Sequence, residues 1–201
     1  MLAFAGSYGP DDKASQILQQ SQTKMESLKD FSSSFTYSIA APGSTKTATQ
    51  SGRIKYKKGM YAIFLQDQEI YCDKVTQWAY IRSANEVNVM NNDPKESLSV
   101  ENIFRIYRAN GKPRYDGEEA LHGATCHKVY IAITDPAFEY NQAYLWINKT
   151  TQLLEKAVLT DRRQNNTTYE FSEIRINLGL PDTDFRFQAA KHPGVKVFDE
   201  R

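Results

Sequence analysis

A chain of 201 residues with 40% hydrophobic and 12% aromatic content can bury a core. Its 25 Lys and Arg against 24 Asp and Glu lack the basic excess that would release counterions from nucleic acid, which excludes DNA or RNA as an expected partner. No stretch reaches the roughly 18 consecutive apolar residues of a membrane-spanning helix, so the expectation is one water-soluble domain over residues 11–201.

Residues 1–10 open on Met1-Leu2-Ala3-Phe4-Ala5-Gly6. Ala3-Phe4-Ala5 is a small-x-small site behind apolar residues, like the tail of a secretory signal. The charged leader and most of the apolar region are missing, so the segment reads as a signal remnant or a disordered terminus. Between Asp11 and Leu28, the residues Ala14, Ile17, Leu18, Met25 and Leu28, with Ser21 on the same stripe, recur at spacings of three and four. Gln, Lys and Glu fill the other side, which predicts one amphipathic helix started by Pro10-Asp11.

After Asp30 the period switches to two. Phe35, Tyr37 and Ile39 alternate with Ser34, Thr36 and Ser38, and Ile54 and Tyr56 oppose Arg53, Lys55 and Lys57 up to a turn at Lys58-Gly59. Further strands are predicted at Met60–Leu65, Glu69–Cys72, Thr76–Ile81 and Glu86–Met90. From Ser97 to Tyr107, Leu98, Val100, Ile103, Phe104 and Tyr107 return to helical spacing, and Asn110-Gly111 stops this second helix. Alternation resumes at Lys128–Thr134, Gln142–Asn148, Leu153–Leu159, Thr167–Asn177 and Asp184–Gln188, for about ten or eleven strands in all.

Chemistry-bearing residues are sparse. His122, His127 and His192 lie in unrelated contexts, and Cys126 and His127, as neighbours on a strand, point to opposite faces and cannot easily share a metal. No phosphate-binding glycine loop or nucleophile elbow occurs. The expectation is a protein without catalytic residues, metal or cofactor. Cys72 and Cys126 are compatible with one disulfide but do not require it, and buried thiols are the simpler reading. The aromatic residues Phe35, Tyr37, Tyr56, Tyr61, Phe64, Trp78, Tyr80, Tyr144, Trp146, Tyr169 and Phe171 sit on strands, either as an ordinary β-core or, in part, as the lining of a cavity.

Three stretches resemble the LolA family, in the family's order. Leu28-Lys29-Asp30-Phe31-Ser32-Ser33-Ser34-Phe35-Thr36-Tyr37 is similar to its helix, link and first strand. Gln50-Ser51-Gly52-Arg53-Ile54-Lys55-Tyr56-Lys57 and Cys72-Asp73-Lys74-Val75-Thr76-Gln77-Trp78-Ala79-Tyr80 resemble its Q-x-G strand and its D-G-K-T-x-W-x-Y segment. Thr183-Asp184-Phe185-Arg186-Phe187, followed by His192-Pro193-Gly194-Val195-Lys196-Val197-Phe198-Asp199, resembles its F-x-F and P-x-G-V-x-V-x-D terminus.

The resemblance implies a mainly β fold, a half-open, incomplete antiparallel β-barrel of about eleven strands with an α-helical lid. It implies a periplasmic, monomeric carrier that binds acylated lipoproteins and shuttles them from an inner-membrane lipoprotein-releasing ABC transporter to an outer-membrane acceptor. The alternative is a LolA-fold lipid-binding or lipoprotein-sensing module in envelope regulation. With strict alternation, the cavity-lining set is Phe35, Tyr37, Ile54, Tyr56, Ala62, Phe64, Trp78 and Tyr80, while Arg53, Lys55 and Lys57 face water. The lid would present Ile17, Leu18, Met25 and Leu28 from the first helix and Ile103, Phe104 and Tyr107 from the second. Where the family's carriers place a latch arginine after the strand lysine, this chain has Lys58, which makes Lys58 the lid-latch candidate. Lys74 stands where the family has a turn glycine after Asp73.

Overall fold

The computed structural model describes residues 10–44, 47–92, 111–134, 136 and 138–201. Helix α1, Pro10–Ser27, follows the predicted stripe. Ala14, Ile17, Leu18 and Ser21 are buried, Met25 is half-buried, and the Ser27 hydroxyl closes the last turn by donating to the Lys24 carbonyl. Leu28, expected on the helix, lies one residue beyond it and is buried. The predicted second helix, with Ile103, Phe104 and Tyr107, lies outside the described residues.

Twelve strands follow among the described residues: β1 Phe31–Ala40, β2 Ala48–Lys57, β3 Met60–Phe64, β4 Gln68–Cys72, β5 Thr76–Ile81, β6 Glu86–Asn91, β7 Gly111–Leu121, β8 Ala124–Ile133, β9 Tyr140–Asn148, β10 Leu154–Asp161, β11 Asn166–Ile176 and β12 Lys196–Asp199. They hydrogen-bond in the order β12-β6-β5-β4-β3-β2-β1-β11-β10-β9-β8-β7. The order does not return on itself, so this is an open sheet with β12 and β7 as its edges, of the mainly β class that the sequence predicts. The registers of β2 to β6 and of β7 to β10 are antiparallel, whereas β12 lies parallel to β6.

Two strands differ from expectation. β7 has no counterpart among the predicted strands, because Pro113, Gly117 and five charged residues break its alternation; as an edge strand it tolerates them. The strand expected at Asp184–Gln188 is instead a 3-10 turn over Asp182–Phe185, since Pro181 and two aspartates favour a turn start. The terminal strand forms later, at β12.

Two hairpins turn on a pair of residues that both have positive φ. Lys58 (φ 46°) and Gly59 (φ 88°) join Lys57 to its partner Met60, and His122 (φ 48°) and Gly123 (φ 82°) join Leu121 to Ala124. This is the mirror-image turn that matches strand twist. Lys74 (φ 87°) lies in the turn between β4 and β5, a glycine-type conformation occupied by a lysine.

The chain divides into two compact units. One holds α1 and β7 to β10. The other holds β2 to β6, β12 and the segment that follows β11. β1 and β11 contribute residues to both.

Candidate functional site

In the unit built on α1, register decides which side chains share a face. Val129 pairs with Leu145 and Leu145 with Ala157; Ile131 pairs with Ala143 and Ala143 with Leu159. These six form one continuous apolar face, each at most 2% exposed. Tyr115, opposite Val129, extends it onto β7. α1 packs along β7, with the Lys13 ammonium 3.7 Å from the centroid of the Tyr115 ring.

The edge of this face is polar. The Tyr115 hydroxyl is 3.3 Å from His127 Nδ1 and 3.4 Å from Glu118 Oε1, and Lys149 Nζ donates to Glu118 at 2.7 Å. That hydrogen bond holds the Glu118 carboxyl below the usual range. Burial lowers the pKa of His127, and Glu118 opposes that effect only in part. Tyr115 and Glu118 reach the same face because the register shifts between them, an extra residue being absorbed where Gly117 takes φ 102°.

The opposite face of the same strands carries a ladder of rings and cations. Arg114, Tyr130 and Tyr144 stand in one row, and Lys128, Trp146 and Lys156 in the next. Lys128 and Lys156 approach the Trp146 ring to 4.9 and 5.3 Å, so lysine side chains help to shield the indole. Cys126 is fully buried, and burial pushes its thiol up to about 11, which leaves it an inert thiol rather than a nucleophile. Cys72, in the other unit, is also a buried thiol.

In the second unit the eight predicted lining residues do not share a face. Ile54 pairs with Ile63 and Tyr56 with Tyr61, whereas Ala62, Phe64, Trp78 and Tyr80 pair with Lys55, Arg53, Tyr71 and Glu69. Phe35 lies with Ile54 and Tyr56: its ring comes within 2.9 Å of where a Cβ on Gly52 would sit, and Phe31, four residues earlier, packs on Tyr56 at 5.3 Å. Tyr37 joins them by alternation. Phe35, Tyr37 and Tyr56 are half-buried. Gly52 is required there, because a Cβ would stand 2.7 Å from the Phe64 carbonyl oxygen.

The other face of this unit is covered by the chain's own C-terminal segment. Lys55 pairs with Asp184 at 2.7 Å and Lys57 with Asp182 at 2.8 Å, and Lys57 also donates to the Leu180 carbonyl. The expectation that these lysines simply face water is therefore corrected: they are partly buried beneath residues 180–184. Phe185 is fully buried. Phe187 packs on Tyr71 and Tyr80 and stacks on His192 at 4.7 Å. The segment is anchored at its root by Asp30, whose carboxylate accepts from the amides of Leu178, Gly179 and Leu180. The latch candidate Lys58 is an exposed hairpin tip.

Among the described residues no group of three or more His, Cys, Asp or Glu is arranged to hold a metal, and no helix is long and apolar enough to cross a membrane. Periodicity predicts the strands that carry the apolar face on β8, β9 and β10 but does not mark that face as a site. Its signal is Val, Ile, Leu or Ala at every second position in three consecutive strands.

No family model and no curated protein sequence matches the chain. Solved structures do. An uncharacterized conserved protein from Thermus thermophilus aligns at TM-score 0.62 and 10% identity, over 94% of this chain and 99% of its own. MucB from the Pseudomonas aeruginosa MucA/MucB complex aligns at TM-score 0.53 and 16% identity, over 88% of this chain and 62% of that one. A LolA superfamily protein from Nitrosomonas europaea aligns at TM-score 0.47 and 13% identity, over 87% and 97%. With its open, mainly antiparallel sheet and amphipathic helix, this chain shares the fold of the first two of these structures.

Proposed function

We propose that the chain is a non-enzymatic periplasmic carrier. It shields the acyl chains of lipoproteins on an apolar sheet face beneath a displaceable helix, takes them from an inner-membrane lipoprotein-releasing ABC transporter and hands them to an outer-membrane acceptor. It acts as a monomer and uses no metal or cofactor. The observation that carries this reading is the six-residue apolar face on β8, β9 and β10 in the unit of α1, a helix that buries only two large side chains among its described residues, Ile17 and Leu18.

Those two side chains hold the helix with about 1.5–3 kcal/mol each. An acyl chain gains about 0.8 kcal/mol per buried methylene, so a few methylenes match the helix's own hold. A cover of that strength can be exchanged for cargo without nucleotide hydrolysis at the carrier. Native mass spectrometry of the protein purified from its host periplasm tests the reading: an acylated polypeptide should co-purify. Failure to retain either such a polypeptide or a neutral apolar probe would overturn it.

A second reading, a lipid-binding or lipoprotein-sensing module in envelope regulation, is supported by the fold shared with MucB, which was solved in complex with MucA. Transfer of an acylated lipoprotein out of proteoliposomes containing the transporter separates the two, because a sensor binds the lipoprotein but does not deplete the membrane of it.

A further inference from the structure

Helix α1 begins with acidic residues, which suits the positive end of a helix dipole, yet its fourth residue is Lys13. A cation in the first turn opposes the dipole. Lys13 therefore does not serve the helix; its partner is elsewhere, in the Tyr115 ring 3.7 Å away.

That ring is held in place. His127 meets it edge-on at 5.8 Å, its hydroxyl lies between His127 and Glu118, and Glu118 is held in turn by Lys149. The bulge in β7 exists where it is needed to put Tyr115 and Glu118 on one face. With regular alternation, residues three apart would point to opposite faces and Glu118 could not reach the Tyr115 hydroxyl. The Arg114–Asp116 ion pair at 2.9 Å ties the start of the bulge to the strand before it. Along the rest of the helix the buried stripe contains Ala14 and Ser21 beside Ile17 and Leu18, so the N-terminal end has few apolar contacts of its own to hold it down.

We infer that Lys13 and Tyr115 form the latch that closes α1 over the apolar face, with Glu118, His127 and Lys149 fixing the ring that Lys13 grips. Release of this pair frees the helix from its N-terminal end. The inference concerns regulation of the site described above and rests on the carrier reading only for what the opened face then binds.

The test is hydrogen exchange by mass spectrometry on the full chain, combined with association of N-phenyl-1-naphthylamine, a neutral apolar probe. Tyr115→Leu, which removes the ring and leaves the charge at the helix start unchanged, should speed exchange of the amides of residues 14–21 by about 2–5-fold, the factor expected for one exposed cation–π contact, with β8, β9 and β10 unchanged. Lys13→Met should speed it less, because it also relieves the opposed dipole. Lys13→Arg, which keeps the cation, should stay near wild type, and Tyr115→Phe, which keeps the ring but frees it from Glu118 and His127, should fall between wild type and Tyr115→Leu. Faster exchange of α1 upholds the latch even if no variant binds the probe, an outcome that would instead remove the carrier reading. The latch is overturned if Tyr115→Leu exchanges like wild type, or if Lys13→Arg exchanges as fast as Tyr115→Leu.

Discussion

The Lys55 ammonium stands 2.7 Å from the Asp184 carboxylate, one rung of the clasp by which residues 180–187 cover a face of the second unit. Beside it Phe185 is fully buried. The two contacts differ in weight. The ion-pair side chains are 35% and 28% exposed, so solvent screening limits the pair to about 0.2–1 kcal/mol. Removing a buried phenylalanine ring costs about 3–5 kcal/mol. Asp184→Asn should therefore shift the urea midpoint slightly and Phe185→Ala strongly. The reverse order would mean that the clasp is electrostatic.

A second prediction concerns Lys74, whose φ of 87° is a conformation that costs a side-chain-bearing residue about 1–2 kcal/mol. The turn persists because Asp73 Oδ1 accepts from the amides of Val75 and Thr76 and Asn92 donates to the Lys74 carbonyl. Lys74→Gly removes the strain, at an entropic cost of about 0.5–1 kcal/mol in the unfolded chain. The net expectation is a gain of up to about 1 kcal/mol, read as a higher urea midpoint with an unchanged slope. A loss of stability would show that the lysine side chain contributes more than its backbone costs.

These turns also explain what the sequence made legible. The helical stripe of α1, the strands β2 to β6 and the Lys58-Gly59 turn all follow from periodicity and turn chemistry. The shared face did not, because a two-residue turn sets Lys57 opposite Met60, so even-numbered residues of β2 share a face with odd-numbered residues of β3. Ile54 and Tyr56 therefore lie on the face opposite Ala62 and Phe64. Strand detection needs only the period, whereas face assignment needs the register across every turn. The site in the other unit was harder to see. Its edge strand β7 hides behind Pro113 and a bulge, although His122-Gly123 was a readable hairpin signal.

A third prediction follows from His127. Burial lowers its pKa below the ordinary 6.5, with Glu118 as the nearby anion and Lys149 and Lys13 as the nearby cations. The unfolded chain thus binds this proton more tightly than the folded one. The stabilising contribution is fully present above pH 6.5, declines as pH falls from there toward the depressed folded value, and is lost below it. His127→Gln should flatten that part of the stability profile in urea unfolding measured on both sides of pH 6.5. An unchanged profile would assign the titration to another group.

The last prediction separates a ligand-binding face from a sealed core. Phe64 is half-buried and lies directly across from Arg53, on the face that also carries Lys55. A glutamate at this position finds Arg53 opposite it on β2 and Glu69, itself paired with Arg82, opposite it on β4. Phe64→Glu should lose the edge-on contact with Tyr71 at 5.8 Å, worth about 0.5–1.5 kcal/mol, and some apolar burial. It should also meet the like charge of Glu69, a further cost of about 0.2–1 kcal/mol, and should bind an apolar probe as wild type does. Leu145 is different. It is fully buried between Val129 and Ala157, with no cation on either partner position. In a sealed core, Leu145→Glu would bury an unpaired carboxylate at a cost of several kcal/mol, and the melting temperature would drop by more than about 10 °C. If α1 is a cover that cargo displaces, the helix can undock instead and leave the charge hydrated on an open face. The expected result is that β8, β9 and β10 keep their amide protection, α1 loses its own, and probe binding disappears because the face has lost its apolar character. A collapse of protection in helix and strands together would make this face an ordinary core and leave the carrier without a place to hold its cargo in this unit.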